Sequence, residues 1–144
     1  MALSAIMAAL KTALEGVPGV ATVATETPAA PAAVSTYPAI ICQVQPFEVH
    51  PSNLSYWVYP IDVIYLFQER GVQAINLDLA ALYDVPKAII DVLNAHHTLG
   101  GQVYGINFGY PSAEIGVVEW RDKTFSGCQV HISLKEKYAT SFSG

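Results

Sequence analysis

The apolar residues of this chain follow two spacings, one typical of helices and one typical of strands. Near the amino terminus they recur three or four positions apart, which predicts an amphipathic helix that ends at Gly16 and Pro18. The apolar positions of that helix are Leu3, Ile6, Met7, Leu10 and Leu14. From about 24 to 38 the chain is rich in Ala, Pro and Thr. This composition predicts an extended arm or surface loop, either a tether or a segment that lies on a neighbouring subunit.

From Ala39 onward the apolar residues recur at every second position, which predicts strands. The predicted strands cover residues 39–44, 56–68, 102–108, 113–120 and 128–135. A second helix is predicted to begin at Asp84 and to end before Gly100. Since short turns join the later strands, we expect a mostly antiparallel sheet with both helices packed on one face, in a single α+β domain. The domain spans residues 1–144, with a loose carboxyl-terminal tail from about residue 138.

The long strand 56–68 is apolar on both faces. One face is rich in aromatic residues and is assigned to the core beneath the helices; it carries Trp57, Tyr59, Ile61, Val63, Tyr65 and Phe67. The opposite face carries Val58, Ile64 and Leu66 beside Asp62. A sheet face that is open to water would carry polar residues there instead. We therefore expect a neighbouring subunit to cover this second face.

Charged residues are scarce in this chain. They make up 13% of it, about half of the roughly 25% that is usual for a soluble domain, whereas 52% of the residues are apolar. No run approaches the ~20 consecutive apolar residues of a membrane-spanning helix, and the first segment does not have the pattern of a signal peptide. Partner chains are therefore predicted to bury part of the surface. The net charge of -5, without a cluster of basic residues, argues against a nucleic-acid reader.

The cysteines and histidines do not occur at spacings that are typical of metal ligands. His96 and His97 are adjacent at the end of the second predicted helix, where side chains point about 100° apart and do not converge on one ion. Cys42 and Cys128 each lie in an apolar strand pattern, which is typical of free, buried thiols. We expect no metal, no cofactor and no structural disulfide.

The sequence also has no pattern that is typical of a catalytic site. It contains no GxSxG, P-loop or GxGxxG pattern. Asp62 is the carboxylate most expected to be partly buried, and pairing with a lysine, an arginine or a backbone amide explains it better than catalysis does. His50 in a loop and His131 on the polar side of a strand are assigned to solvent. We therefore expect a protein that is not an enzyme.

Four segments of the chain together resemble one protein family. They are YPAIICQV at 37–44, WVYPIDVIYLF at 57–67, VPKAIIDVLNAHHTLGGQVY at 85–104 and GCQVHISLKEKY at 127–138. Their order and their hydrophobic rhythm, over most of the chain, are similar to those of the tail terminators of lambda-like siphophages. That family is also called minor tail protein U or tail-completion proteins. The Ala/Pro-rich arm is longer than the family pattern.

The resemblance implies a structural virion protein. Members of the family form a hexameric ring that caps the tail tube, stops polymerisation of the tail tube protein and offers its other face to the head-completion or connector protein. We therefore expect a homo-oligomer at the head-proximal end of a phage tail, assembled in the host cytoplasm, with DNA passing through the lumen without specific binding. The alternatives are another head–tail connector or tail tube ring protein and, in a different class, a small ligand-binding domain.

The candidates for contact residues come from expected exposure, because the resemblance carries over neither catalytic nor contact residues. Each lies on a strand face, in a loop or in a turn that a second chain is able to reach. The candidates for contacts with the next subunit or with the tube are Val58, Ile64, Leu66, His50, Asn53, Arg70, Arg121 and Lys123.

Overall fold

Two helices and five strands make up the described part of the chain, which gives the predicted α+β class. The computed structural model describes residues 3–26, 36–45, 56–69, 82–101, 103, 105–121 and 123–137. The elements, in chain order, are α1 (Leu3–Leu14), β1 (Thr22–Glu26), β2 (Ala39–Val44), β3 (Tyr56–Glu69), α2 (Val85–Ala95), β4 (Gly105–Trp120) and β5 (Lys123–Lys137). The strands form one sheet in the order β1-β2-β3-β5-β4. β1 pairs with β2 in parallel and the other pairs are antiparallel, so the prediction of a mostly antiparallel sheet is confirmed.

Both helices pack on the same face of the sheet, which we call the helix face. In α1, residues spaced three or four apart are fully buried, as Leu10 and Leu14 show, and in α2 Ile89 and Leu93 are fully buried. The buried strand residues of the helix face are Val23, Ile40, Cys42, Val44, Tyr59, Ile61, Val63, Tyr65, Cys128, Val130, Ile132 and Leu134. Burial of each large apolar side chain contributes roughly 1.5–3 kcal/mol. The predicted core position is confirmed for Tyr59, Ile61, Val63 and Tyr65 of the long strand, with Phe67 packed against them, whereas the side chain of Trp57 lies outside the described residues.

The second helix begins at the predicted place. Asp84 occupies the N-cap position, although its side chain makes no capping hydrogen bond. Pro86 lies in the first turn, where its missing N–H would have had no partner inside the helix. Among the described residues, no helix is long and apolar enough to cross a membrane.

The first residues of the predicted Ala/Pro-rich arm form a strand. Residues 24–26 of the predicted arm belong to β1, which pairs with β2 from Thr22 opposite Ala39 to Glu26 opposite Gln43. The segment TVATE has little alternation of apolar and polar residues, so its strand character comes from pairing rather than from a local pattern. The rest of the predicted arm up to residue 35 and the predicted tail from 138 lie outside the described residues.

The turn predicted between 102–108 and 113–120 is also wrong. β4 is one strand, and both of its halves pair with β5. The pairing is interrupted between Phe108 and Ala113, where extra residues are accommodated as an irregularity of the bulge type. The glycine and proline of this segment therefore interrupt the pairing without ending the strand.

Candidate interface surfaces

One end of the sheet face opposite to the helices is covered by the chain itself. We call this second face, which carries Ile41, Asp62 and His131, the far face. At one end of it, apolar residues of β2 and β3 pack against apolar residues of the β4–β5 hairpin. The cluster comprises Ile41, Ile64, Leu66, Val118, Trp120 and Phe125, with Ala24 and Tyr37 packed against it. The far face is therefore covered within one subunit at this end.

The hairpin reaches this position by curling back over the far face. β1 and β4 are opposite edges of the sheet, which in a flat sheet would lie about 19 Å apart at the usual strand spacing of about 4.8 Å. Arg121, in the β4–β5 turn, nevertheless donates from Nη2 to Oε2 of Glu26 on β1 at 2.8 Å. Its guanidinium carbon also lies 4.9 Å from the ring centroid of Trp120. We call the curled segment that packs on the far face, residues 118–125, the hairpin tip.

Two glycines that pair across the hairpin mark the start of the tip. Gly116 pairs with Gly127, and Gly116 has a φ of +147°, a conformation that L side chains rarely adopt. A Cβ on Gly127 would lie 1.9 Å from the carbonyl oxygen of Tyr65. β5 therefore passes β3 too closely for a side chain at this point. The register between the two strands shifts just beside it, between Leu66 and Gln68.

Ile64 and Leu66, two of the predicted interface residues, are covered by the hairpin tip of the same chain. Ile64 and Leu66 lie on the far face as predicted, but they are 5% and 0% exposed within a single chain. Phe125 and Trp120 pack against them. They are therefore core residues of one subunit, and the prediction that a neighbouring subunit covers them is not needed to explain their apolar character. Val58, on the same face of β3, is 47% exposed and remains accessible to a partner.

The other predicted contact residues fall into two groups. Arg121 in the β4–β5 turn and Lys123 at the start of β5 are exposed, and Arg121 is held there by its ion pair with β1. His50, Asn53 and Arg70 lie outside the described residues. The structure therefore brings two of the basic candidates together at the hairpin tip.

A row of polar side chains crosses the far face beside the covered end. The strand register places Glu26, Gln43, Asp62 and His131 next to one another on four adjacent strands. Gln43 donates from Nε2 to Oε1 of Glu26 at 2.7 Å, and Nδ1 of His131 lies 2.7 Å from Oδ1 of Asp62. On the fifth strand, Oε1 of Glu114 lies 3.4 Å from Nε2 of His131. The row spans the whole sheet and links the edge strand β4 to β3.

His131 lies between two carboxylates of this row. Its hydrogen bond with Asp62 raises the pKa of His131 above the ordinary value of 6.5; partial burial lowers it, and Glu114 raises it further. A protonated imidazole donates from both nitrogens, which matches both contacts. Asp62 is thus paired as expected, but with a histidine rather than a lysine, an arginine or a backbone amide. The assignment of His131 to solvent is wrong, because its neighbours become visible only once the register is known.

We expect the ion pairs of His131 to make the stability pH-dependent. Its pKa is higher in the folded chain than the ordinary value of 6.5, so the pairs stabilise fully below 6.5, and their contribution is lost as the pH rises through the folded pKa. Because the side chain is 30% exposed, the effect is modest. The urea midpoint of the wild type, measured relative to that of His131→Gln, should fall between about pH 6 and about pH 9. Parallel pH profiles for the two proteins would contradict this account.

The two thiols are enclosed in the helix-face core. Cys42 and Cys128 are free and fully buried, as the strand pattern predicts. Burial raises the pKa of each thiol to about 12, so both remain neutral and poorly reactive near neutral pH. Within the described ranges, no group of His, Cys, Asp and Glu side chains is arranged to hold a metal ion.

An exposed apolar surface that the sequence pattern does not predict lies on the edge strand β4. Ile115 pairs with Cys128, so its side chain points to the helix-face side of the sheet. Val117 follows two positions later on the same side. Ile115 is 39% and Val117 53% exposed, although both are β-branched residues that favour buried strands. The alternation of Glu114 and Ile115 in the sequence indicates that Ile115 lies on the apolar side of a strand. This alternation does not show whether a helix covers that side.

Comparison with known proteins leaves these surfaces as the guide to function. No family model matches the chain, and no curated protein matches it. The described residues form two candidate interface surfaces. One is the polar row with the adjoining hairpin tip on the far face, and the other is the exposed apolar side of β4.

Proposed function

We propose that the chain is a structural subunit of a closed homo-oligomeric ring that caps a phage tail tube, as the tail terminators that it resembles do. In this proposal one face of the ring meets the tail tube protein and the other meets the head-completion protein. The observation that carries the proposal is the exposed apolar side of β4, at Ile115 and Val117, in a chain with 13% charged residues. An edge strand with bare β-branched residues is prone to pair with another chain.

The surroundings of the histidine and cysteine side chains that are able to take part in catalysis also support a structural role. Both ring nitrogens of His131 are directed at carboxylates, so the imidazole is not positioned as a base for a nucleophile. Cys42 and Cys128 are buried, and their thiols are held protonated. Each of these groups is engaged within the sheet or its core, which supports a structural role.

Mass photometry of the purified chain tests the ring directly. We expect one closed oligomer of a single mass that does not grow with protein concentration, and a hexamer is the form that the resemblance implies. A chain that is monomeric at every concentration would contradict the proposal. Filaments that lengthen with concentration would favour a tail tube subunit instead.

A second measurement tests the position in the tail. The ring, added to a polymerising tail tube protein, should stop tube growth at amounts well below one ring per tube subunit, as measured by electron microscopy of tube lengths. Unchanged tube lengths with an intact ring would favour another head–tail connector. Saturable binding of a small ligand by a monomeric chain would favour the ligand-binding alternative.

A further inference from the structure

We infer that β4 of one subunit pairs antiparallel with β1 of a second copy of this chain, so that the sheet continues from one subunit to the next. The inference rests on the proposed ring and deepens it by naming the two surfaces that meet. Both surfaces are edges of the same sheet. The contact therefore joins two different parts of the chain. Repetition of such a contact gives a closed ring when the rotation from each subunit to the next adds up to a full turn.

The directions of the strands give this pairing its polarity. β2 and β5 run in the same direction as β1, whereas β3 and β4 run in the opposite direction. A second copy that continues the sheet in the same sense therefore offers a β1 that runs antiparallel to β4. Antiparallel pairing is the slightly more stable arrangement per residue. No strand has to reverse for the two edges to fit.

The stretch of β4 at 113–117 matches β1 in length and carries little of the usual protection against pairing. Between the interruption at 109–112 and the hairpin tip, residues 113–117 pair with β5 without a register shift. β1 covers Thr22–Glu26, which is the same length. Natural edge strands are commonly protected by lysine, proline or a bulge. The stretch 113–117 has neither lysine nor proline, and the bulge-type interruption lies before it, at 109–112. Its single charged residue, Glu114, is directed at His131 on the far face.

The exposed apolar side chains lie where this pairing would bury them. Ile115 and Val117 point to the helix-face side of β4. On β1 the same side carries Val23, which is part of the helix-face core, and Thr25. Helix α1 packs against β1 on that side. The pairing therefore places two β-branched residues of one copy beside two of the next, under the edge of its first helix.

Val117→Lys tests the β4 edge. Val117 is 53% exposed, so a lysine should leave the fold intact while its charge opposes pairing. We expect a folded monomer by circular dichroism and light scattering. Tyr83→Lys, which adds the same charge at a residue of 62% exposure just before α2, is the control and should keep the wild-type oligomer. An unchanged oligomer with Val117→Lys overturns the inferred pairing but does not contradict the proposed ring. Loss of the oligomer in both variants also overturns the pairing. A monomeric wild type overturns both proposals.

Thr25→Lys tests the β1 edge independently. We expect a folded monomer here as well, because both edges are needed for a head-to-tail contact. If β4 paired with β4 of a second copy instead, Thr25→Lys would keep the oligomer while Val117→Lys lost it, and the assignment of β1 would be overturned. In the wild type, amide hydrogen exchange in 22–26 and 113–117 should slow at least about tenfold on assembly. Unchanged exchange in either stretch contradicts the pairing.

Discussion

Gly127→Ala should lower the free energy of unfolding by at least about 3 kcal/mol, a large share of the roughly 5–15 kcal/mol that is typical of a domain. A Cβ at this position would lie 1.9 Å from the carbonyl oxygen of Tyr65 and 3.0 Å from its carbonyl carbon. Both are backbone atoms of β3 in the middle of the sheet, so they cannot move aside as a flexible side chain can. β5 would have to separate from β3 where the hairpin tip begins. Urea denaturation followed by circular dichroism measures the loss.

Gly116→Ala is the control for this prediction, because Gly116 is the direct partner of Gly127 across the hairpin. Nothing lies within 4 Å of a Cβ built there, and only the positive φ opposes the substitution. The expected loss is about 1–3 kcal/mol, the usual cost of a side chain in a sparsely populated backbone conformation with positive φ. If Gly127→Ala proved no more destabilising than Gly116→Ala, the close passage of β5 over β3 would not exist in solution.

The elements that the sequence predicts well are those whose burial is decided locally. The spacing of Leu10 and Leu14 places them on one side of a helix, and the predicted start at Leu3 and end near Gly16 agree with the observed α1. The alternation in 39–44 and 56–68 likewise matches β2 and β3 closely. In each case a single period, 3.6 or 2, carries the information because one side of the element faces the core.

The parts that the sequence does not predict depend on contacts between distant segments. β1 is a strand because its backbone pairs with β2, although TVATE has no clear alternation. The hairpin tip packs on the far face because two glycines allow the hairpin to curl, and the resulting bridge joins Arg121 to Glu26 across 95 positions of sequence. A periodic pattern shows that Ile64 and Leu66 need a cover but does not show which segment supplies it.

The candidate site shows the same division. The sequence identifies Asp62 as a partly buried carboxylate that needs a partner, but the partner is His131, 69 positions away. Alternation shows which face of a strand each residue is on, whereas the register between strands decides which residues are neighbours. The exposed apolar side of β4 was missed for a related reason, since the sequence does not show how far the two helices extend across the sheet.

Ile64→Lys should leave the chain largely unfolded, with a loss of more than about 4 kcal/mol. The side chain is 5% exposed in a cluster of apolar residues that includes Phe125 and Leu66. A lysine there loses apolar burial worth roughly 1.5–3 kcal/mol and places an ammonium group among apolar neighbours. Such a group costs several kcal/mol or is forced into its neutral form. Circular dichroism and thermal unfolding of the purified variant measure the result.

Two comparisons make this outcome specific to the hairpin tip. Val58→Lys introduces the same charge on the same face of β3 but at a residue of 47% exposure, and it should change stability by less than about 0.5 kcal/mol. Val63→Lys, on the helix face, should unfold the chain as Ile64→Lys does, because both sides of β3 are buried within one subunit at this end. If a neighbouring subunit were the only cover for Ile64, Ile64→Lys would instead give a folded, soluble monomer. That result would mean that the tip lifts from the far face in solution and that Trp120 and Phe125 do not form its stable cover.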